Sequence, residues 1–437
     1  MIPQPVSVTA KEGRLTLDGP FSGPESIREL LKSYGLPESG TWSIVEGHGD
    51  EGYHLKADTA LTVEGSELGL KWAVQTLRQL VSDGTIERTE IQDAPDYPWR
   101  GSLLDVARWA LPLDFLYRYI DLLALHKLNR LHLHLTDDQG WRFEVKRYPK
   151  LTEVGGFRSE SPVGHMLLEQ GFDGTPHGGF YTQDELKALV RFGQERGVEI
   201  MPEIDLPGHT QAAIAAYPQL GSEEVKVSTK WGIHDIVVNS EPETLEFFKH
   251  VLDEVVEVFP FEFVHLGGDE VRGMPNEQLG WWIGQLQEHL AAKGRKTAVW
   301  DELLEANPPQ GLLFFGWRDD TKAPEARQAG FEAVSCPQNY AYYDWAESDR
   351  EDEPLAIAGY VPLEQVYEFE PGDVTGVQGQ LWTEYLPRPE LVEWRAFPRL
   401  SALAELGWRK QTLESFNERL PRHLELLDTM NVNYRPR

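Results

Sequence analysis

The sequence contains one cysteine, Cys336. No intrachain disulfide can form, so stability has to come from a packed core, and cysteine usage leaves the redox compartment open. Basic residues are also in short supply: 41 Lys and Arg stand against 71 Asp and Glu, a formal charge of −30. Nucleic acids and anionic membrane surfaces repel such a chain, which sets both aside as partners. No apolar run approaches the roughly 20 residues that span a bilayer. The opening MIPQPVSVTA has neither the basic nor the apolar stretch of a secretion signal. The expectation is a cytoplasmic protein, monomer or homodimer, with a trimmed secreted form as the alternative. Internal repeats and low-complexity tracts are missing too.

What remains is an ordinary globular composition in a chain of 437 residues, enough for a large α/β barrel with an addition. It also has 14 tryptophans that the fold must place. Residues 1–95 carry short alternating runs (RLTLDG, YHLKAD, ALTVEG) and one amphipathic helix, SELGLKWAVQTLRQLV, with Ser66 as its N-cap. That mixture predicts a small α+β domain. IQDAPDYPWR, with two prolines, marks its boundary with residues 96–437.

From Arg100 onward eight apolar runs alternate with helical patterns: GSLLDVA, RLHLHLT, VEIMPEID, FVHLGG, TAVWDE, LLFFGW, FEAVSC and VQGQLW. Eight strands with helical crossovers predict a (β/α)8 barrel, interrupted after its second strand by a long loop at 142–180. Such barrels build their sites at the C-terminal ends of the strands. Those ends deliver Asp105 and Arg108, Asp137 and Asp138, Asp205 and His209, Asp269 and Glu270, then Trp300, Asp301 and Glu302, Trp317, and finally Trp382 and Glu384. One acidic residue after a strand is usually a helix cap. Repetition around the whole rim is not explained that way. Tryptophan faces pack on the C–H surfaces of a sugar ring, and carboxylates and Arg meet its hydroxyls, so the rim predicts a carbohydrate ligand.

Four chemistries compete for this rim. His132, His134 and His209 offer metal ligands, but HLHL puts two histidines on one strand face toward the barrel interior, and no H-E-x-x-H pair exists, so no metal is expected. A serine hydrolase lacks its G-x-S-x-G elbow. A sugar-binding protein without catalysis explains Trp and Arg but not the adjacent acids in FVHLGGDEV. A glycosidase explains both, because glycoside hydrolysis needs a protonated and an ionised carboxyl.

The motifs WRGSLLDVAR, HKLNRLHLHLTDDQGWR, PEIDLPGHT, VHLGGDEV, WDE and GQLWTE, in this order, resemble glycoside hydrolase family 20, the β-N-acetylhexosaminidases, over nearly the whole chain. The resemblance implies an exo-acting retaining enzyme that needs no cofactor and removes terminal β-linked GlcNAc or GalNAc. It also implies substrate-assisted chemistry, in which the acetamido oxygen attacks the anomeric carbon and forms an oxazolinium ion. Glu270 would be the general acid and then the base. Asp269 would hold the acetamido N–H and stabilise the charge growing on that nitrogen, while its own charge opposes ionisation of Glu270. Tyr342 would donate to the acetamido oxygen and Asp344 bind a hydroxyl. Trp300, Trp317 and Trp382 would wall the pocket, Arg108 and Glu384 clamp the hydroxyls at C3, C4 and C6, and Asp137, His209 and Asp205 support Glu270. A relative that releases disaccharides, and an inactive sugar-binding homologue, are the alternatives.

Three features depart from the family pattern. Trp109 and Ala110 follow Arg108, where a histidine and an aromatic are usual. The segment between Val271 and Thr297 is short, and no further domain is expected after the barrel. These leave the sugar pocket intact and bear on the leaving-group side.

Overall fold

The computed structural model describes residues 1–168 and 170–436. A six-stranded sheet comes first, in the order Ser7–Thr16, Thr85–Asp93, Tyr53–Ala57, Leu61–Gly65, Gly40–Ile44, Phe21–Ser22. Tyr53–Ala57 and Leu61–Gly65 alternate in sequence because one face is buried and the other is not. RLTLDG marks only the end of the edge strand Ser7–Thr16. The rest of that strand is largely solvent-exposed on both faces and has no apolar period to read. The helix Glu67–Leu80 starts where Ser66 accepts the Gly69 N–H at 2.8 Å. Its Leu70, Ala73 and Leu77 pack with Leu55, Val63 and Ile91 of the sheet.

All eight apolar runs are strands of one closed parallel barrel. In chain order they span Trp99–Asp105, Arg130–His134, Glu199–Glu203, Phe263–His265, Lys296–Trp300, Leu313–Gly316, Glu332–Ser335 and Gly376–Leu381. Helices between them bury one apolar stripe on the barrel. The helix Gln183–Arg196 shows why the sequence ends it cleanly. Thr182 and Glu185 form a capping box at its start, and Gly197 takes a left-handed conformation at its end.

The segment 142–180 is not a featureless loop. It holds a short helix, Lys150–Glu153, and a pairing of Phe157–Arg158 with His177–Gly178. The buried Arg142 guanidinium anchors it, donating to the carbonyls of Ala107 (2.6 Å), Gly156 (2.5 Å) and Gly179 (2.9 Å). Arg158 adds a bond to the Arg108 carbonyl at 2.6 Å.

The sheet domain meets the barrel at the end where strands begin, through buried ion pairs. Arg100 donates twice to Glu51 (3.0 and 2.5 Å), Lys127 to Asp93 (2.6 Å), and Trp408 also to Asp93 (2.7 Å). The strand tips on the opposite end are left free for a site. Among the described residues no helix is long and apolar enough to cross a membrane.

Candidate active site

A cavity of about 440 Å³ opens at the C-terminal ends of the barrel strands. Of the 12 residues expected at or behind a site, Arg108, Asp137, Asp205, His209, Asp269, Glu270, Trp317, Tyr342, Asp344, Trp382 and Glu384 line it. Trp300 does not. It is the last residue of its strand and turns into the barrel interior, where it is 1% exposed. Its indole N–H donates to Glu203 at 2.9 Å, and its ring lies 6.0 Å from that of Trp382. Trp300 is therefore a layer beneath the pocket wall rather than part of it.

The strand Phe263–His265 stops abruptly and hands the chain to Gly267 and Gly268, both left-handed (φ 68° and 89°). Gly267 has no alternative, because a Cβ there would stand 1.7 Å from Asp205 Oδ1. The turn places Asp269 and Glu270 together at the cavity but in different settings. Asp269 is buried, whereas the Glu270 side chain is 27% exposed. Burial pushes the Asp269 carboxyl up to about 7, with the Glu270 charge adding to the rise and His209 opposing it. Asp205, behind it, is driven well above the usual carboxylate range by burial and by the charge of Asp269.

Arg108 is a buried cation of the pocket. Its Nε donates to Gln139 at 3.1 Å, and its two terminal nitrogens lie 3.3 Å from Asp105, 2.8 Å from Asp137 and 3.7 Å from Glu384. The guanidinium carbon also sits 5.2 Å from the centre of the Trp382 ring. Burial opposes its charge, but Asp137, Glu384, Asp105 and Asp138 outweigh that cost and raise its pKa further. The same logic holds Asp137 well below its usual range: burial works against the charge, and Arg108 and His209 overcome it.

Aromatic rings close the other side. Trp317 and Tyr342 lie nearly parallel, with centres 5.9 Å apart, and Tyr342 is 6.5 Å from Trp382. Trp317 is fixed by its indole N–H, which donates to Glu302 at 2.9 Å. Two acceptors in this box, Asp269 Oδ1 and Asp344 Oδ1, are buried and receive no hydrogen bond from the protein. Such groups cost stability unless something donates to them, so the box is built for a ligand that brings N–H and O–H groups.

The departure at Trp109 and Ala110 has a local explanation. His177, from the segment after the second strand, accepts the Ala110 N–H at 3.0 Å and packs on Trp109 at 4.6 Å. An imidazole from elsewhere thus fills this corner. The rim also holds residues that carry no motif, including Met166, Ile233, Arg272, Trp345 and Ile357. They come from separate loops without periodicity. Beneath the pocket, Glu203 and His134 form a hub that the motifs did not mark as functional. The one signal for it was spacing: Glu203 and Asp205 share a strand face, as do His132 and His134 on the neighbouring strand.

The residues best placed to hold a cation are buried clusters such as His132, Glu203 and His265, whose ligand atoms lie within 4.8 Å of one another. His132 and His265 stand at 3.1 and 2.9 Å from Glu203, so this carboxylate is already engaged within the protein.

Comparison with known proteins places the chain in a family. The model of the glycosyl hydrolase family 20 catalytic domain matches residues 97–411, and that of the family's domain 2 matches residues 1–94. A β-hexosaminidase of Porphyromonas gingivalis is 34% identical over 88% of this chain and 54% of its own length. A β-N-acetylhexosaminidase of Cellulomonas fimi is 32% identical over 99% of this chain and 86% of its own. This chain thus spans about half the length of the P. gingivalis enzyme. Among solved structures, the family 20 β-N-acetylhexosaminidase of Streptomyces coelicolor A3(2) superposes with a TM-score of 0.90 at 29% identity, covering 100% of this chain and 97% of its own. An exo β-N-acetylglucosaminidase of Vibrio harveyi in complex with N-acetylglucosamine gives 0.89 at 28% identity, covering 100% and 78%. With both domain models matched and the barrel superposed along its whole length, the chain belongs to glycosyl hydrolase family 20.

Proposed function

We propose that this chain is an exo-acting, retaining β-N-acetylhexosaminidase working by substrate-assisted catalysis. The observation that carries the reading is the contrast between the two adjacent carboxyls. Glu270 is partly open to solvent, where a leaving group and a water can reach it, while Asp269 is buried with one oxygen unpartnered. Glu270 donates its proton to the glycosidic oxygen and later takes one from water. Asp269 accepts the acetamido N–H and balances the positive charge that develops on that nitrogen. Tyr342, between Trp317 and Trp382, donates to the acetamido oxygen as it attacks the anomeric carbon. Arg108, Asp344 and Glu384 take the hydroxyls, and Trp317 and Trp382 pack on the sugar and its acetamido group.

His209 joins this apparatus to Asp137. Its Nδ1 lies 3.3 Å from Asp137, and its Nε2 lies 3.4 Å from Glu270. Two clamps beside Glu384 support release of one sugar rather than a disaccharide. The Met166 N–H donates to the Tyr385 hydroxyl at 2.9 Å, and His165 reaches the Ile357 carbonyl at 3.0 Å. Together they hold Met166 and Ile357 over that side of the cavity.

Chromogenic β-GlcNAc, β-GalNAc and disaccharide glycosides test the reading. Release from the first two is expected. Hydrolysis of the disaccharide glycoside alone would favour a disaccharide-releasing enzyme, and no hydrolysis of any would leave a sugar-binding homologue.

A further inference from the structure

The catalytic reading ends at Asp137, yet the polar network continues inward. His134, at the end of the second barrel strand, is buried, with a carboxylate on each ring nitrogen: Glu203 Oε2 lies 2.5 Å from Nδ1 and Asp137 Oδ2 3.0 Å from Nε2. A carboxylate can only accept. An imidazole that bonds to carboxylates through both nitrogens must donate from both, and only the imidazolium does that. The groups facing His134 agree. Burial disfavours its charge, but Glu203, Asp137 and Asp105 outweigh it, so its pKa is raised to about 10. Asp205 lies in the same cluster, and His132, also beside Glu203, is lowered to about 4.

The register explains how the sequence builds this. Glu203 pairs across the sheet with His134 on one side and His265 on the other, so one carboxylate is set between two histidine-bearing strands. Glu203 also accepts the Trp300 indole N–H. Asp137 in turn has its acceptors taken on all sides, by His134, by Arg108 and by the Asp138 backbone N–H at 2.6 Å, with His209 beyond. From Glu203 to His209 the charges alternate: anion, cation, anion, cation. Each member is fixed by its neighbours.

We propose that His134, clamped by Glu203, is a positioning residue for hydrolysis: it orients the Asp137 carboxylate so that Asp137 can hold His209 against Glu270. This rests on the assignment of Glu270 as general acid. His134 touches no substrate, so it acts only through Asp137 and His209. Neutral, it would offer one proton to two carboxylates, and Asp137 would be free to turn toward Arg108 alone.

The test is a double-mutant cycle with two supporting measurements. Glu270→Gln alone examines the acid assignment, through its leaving-group dependence. His134→Gln is expected to lower kcat roughly 10- to 100-fold with KM changed much less, the usual cost of losing a partner behind a reacting group. Glu203→Gln, the same shape without the charge, should do likewise. In the Glu270→Gln background, adding His134→Gln should cost less than threefold, because the group it serves is already lost. Multiplying losses would mean that His134 acts by a route other than Glu270, and the inference would fall while the acid assignment stood. Should neither substitution fold, histidine nitrogen NMR of the wild-type protein decides. An imidazolium with both ring N–H protons present at pH 8 is expected for His134, and a neutral ring would overturn the proposal.

Discussion

His209 and Glu270 face each other with Nε2 3.4 Å from Oε2, and both hold left-handed backbone angles, φ 51° and 52°. Neither residue adopts that conformation without cost, on the order of 1–3 kcal/mol each, so the surrounding fold must impose it. The strain sets two side chains from different strand tips opposite each other. Glu270→Gln keeps the shape and removes the proton. Turnover of substrates with poor leaving groups should fall by several orders of magnitude, while those with very good leaving groups lose far less. Kinetics across a series of aryl glycosides checks this, and an equal loss throughout would refute the acid role.

Asp269 gives a prediction with a pH sign. Its folded-state carboxyl is raised to about 7 from an ordinary value of 3.8, chiefly by burial. The folded state therefore binds this proton more tightly than the unfolded chain does. The stability it contributes is full below pH ~4 and is lost as pH rises through about 7. Asp269→Asn, permanently neutral, should raise the melting temperature at pH 8 by on the order of 2 °C or more, with the gain vanishing near pH 4. The same variant should lose most activity, because an amide cannot balance the growing charge on the acetamido nitrogen, an effect worth roughly 3–4 kcal/mol. Thermal melts at both pH values decide; a gain independent of pH would remove Asp269 as its cause.

The strand tips were legible because nearly every apolar run leads into a charged or aromatic residue (FEAVSC is the exception), and the barrel turns that linear pattern into a ring. All eight runs are strands of the barrel. What lay inside the barrel was not legible in the same way. His132, His134 and Glu203 sit at interior strand positions, where a polar side chain reads as a satisfied core group until its partners on neighbouring strands are known. Trp300 misled for a geometric reason. It closes its strand and points inward, whereas Trp317 follows Gly316 beyond the strand end and reaches the cavity. Met166, Ile233 and Ile357 had no signal, since loops that meet only in three dimensions leave no period.

Trp300→Phe follows from that correction. The change leaves the Glu203 acceptor without its indole donor and opens space in a packed layer. The cost in stability should be about 1–3 kcal/mol for the lost bond, with a further loss for the void. KM for a β-GlcNAc glycoside should change less than twofold. Trp382→Phe, on the pocket wall, should raise KM markedly with less effect on folding. Chemical denaturation and steady-state kinetics on both variants check the contrast, and a reversed pattern would return Trp300 to the wall.

The nucleophile separates this mechanism from every scheme with two flanking carboxylates. If the acetamido oxygen attacks, a plain β-glucoside offers nothing to attack with, and its hydrolysis should be negligible. The deficit should exceed the few kcal/mol that lost pocket contacts explain. A thiazoline mimic of the cyclised intermediate should bind far more tightly than free GlcNAc, because Asp269 and Tyr342 line the space where its charge and ring would lie. Tyr342→Phe should weaken that binding and slow turnover together, since the hydroxyl that aims the acetamido oxygen is gone. A 2-fluoro glycoside gives the sharpest reading. No sugar should become bonded to the protein, and mass spectrometry showing one on a carboxylate would end the substrate-assisted account.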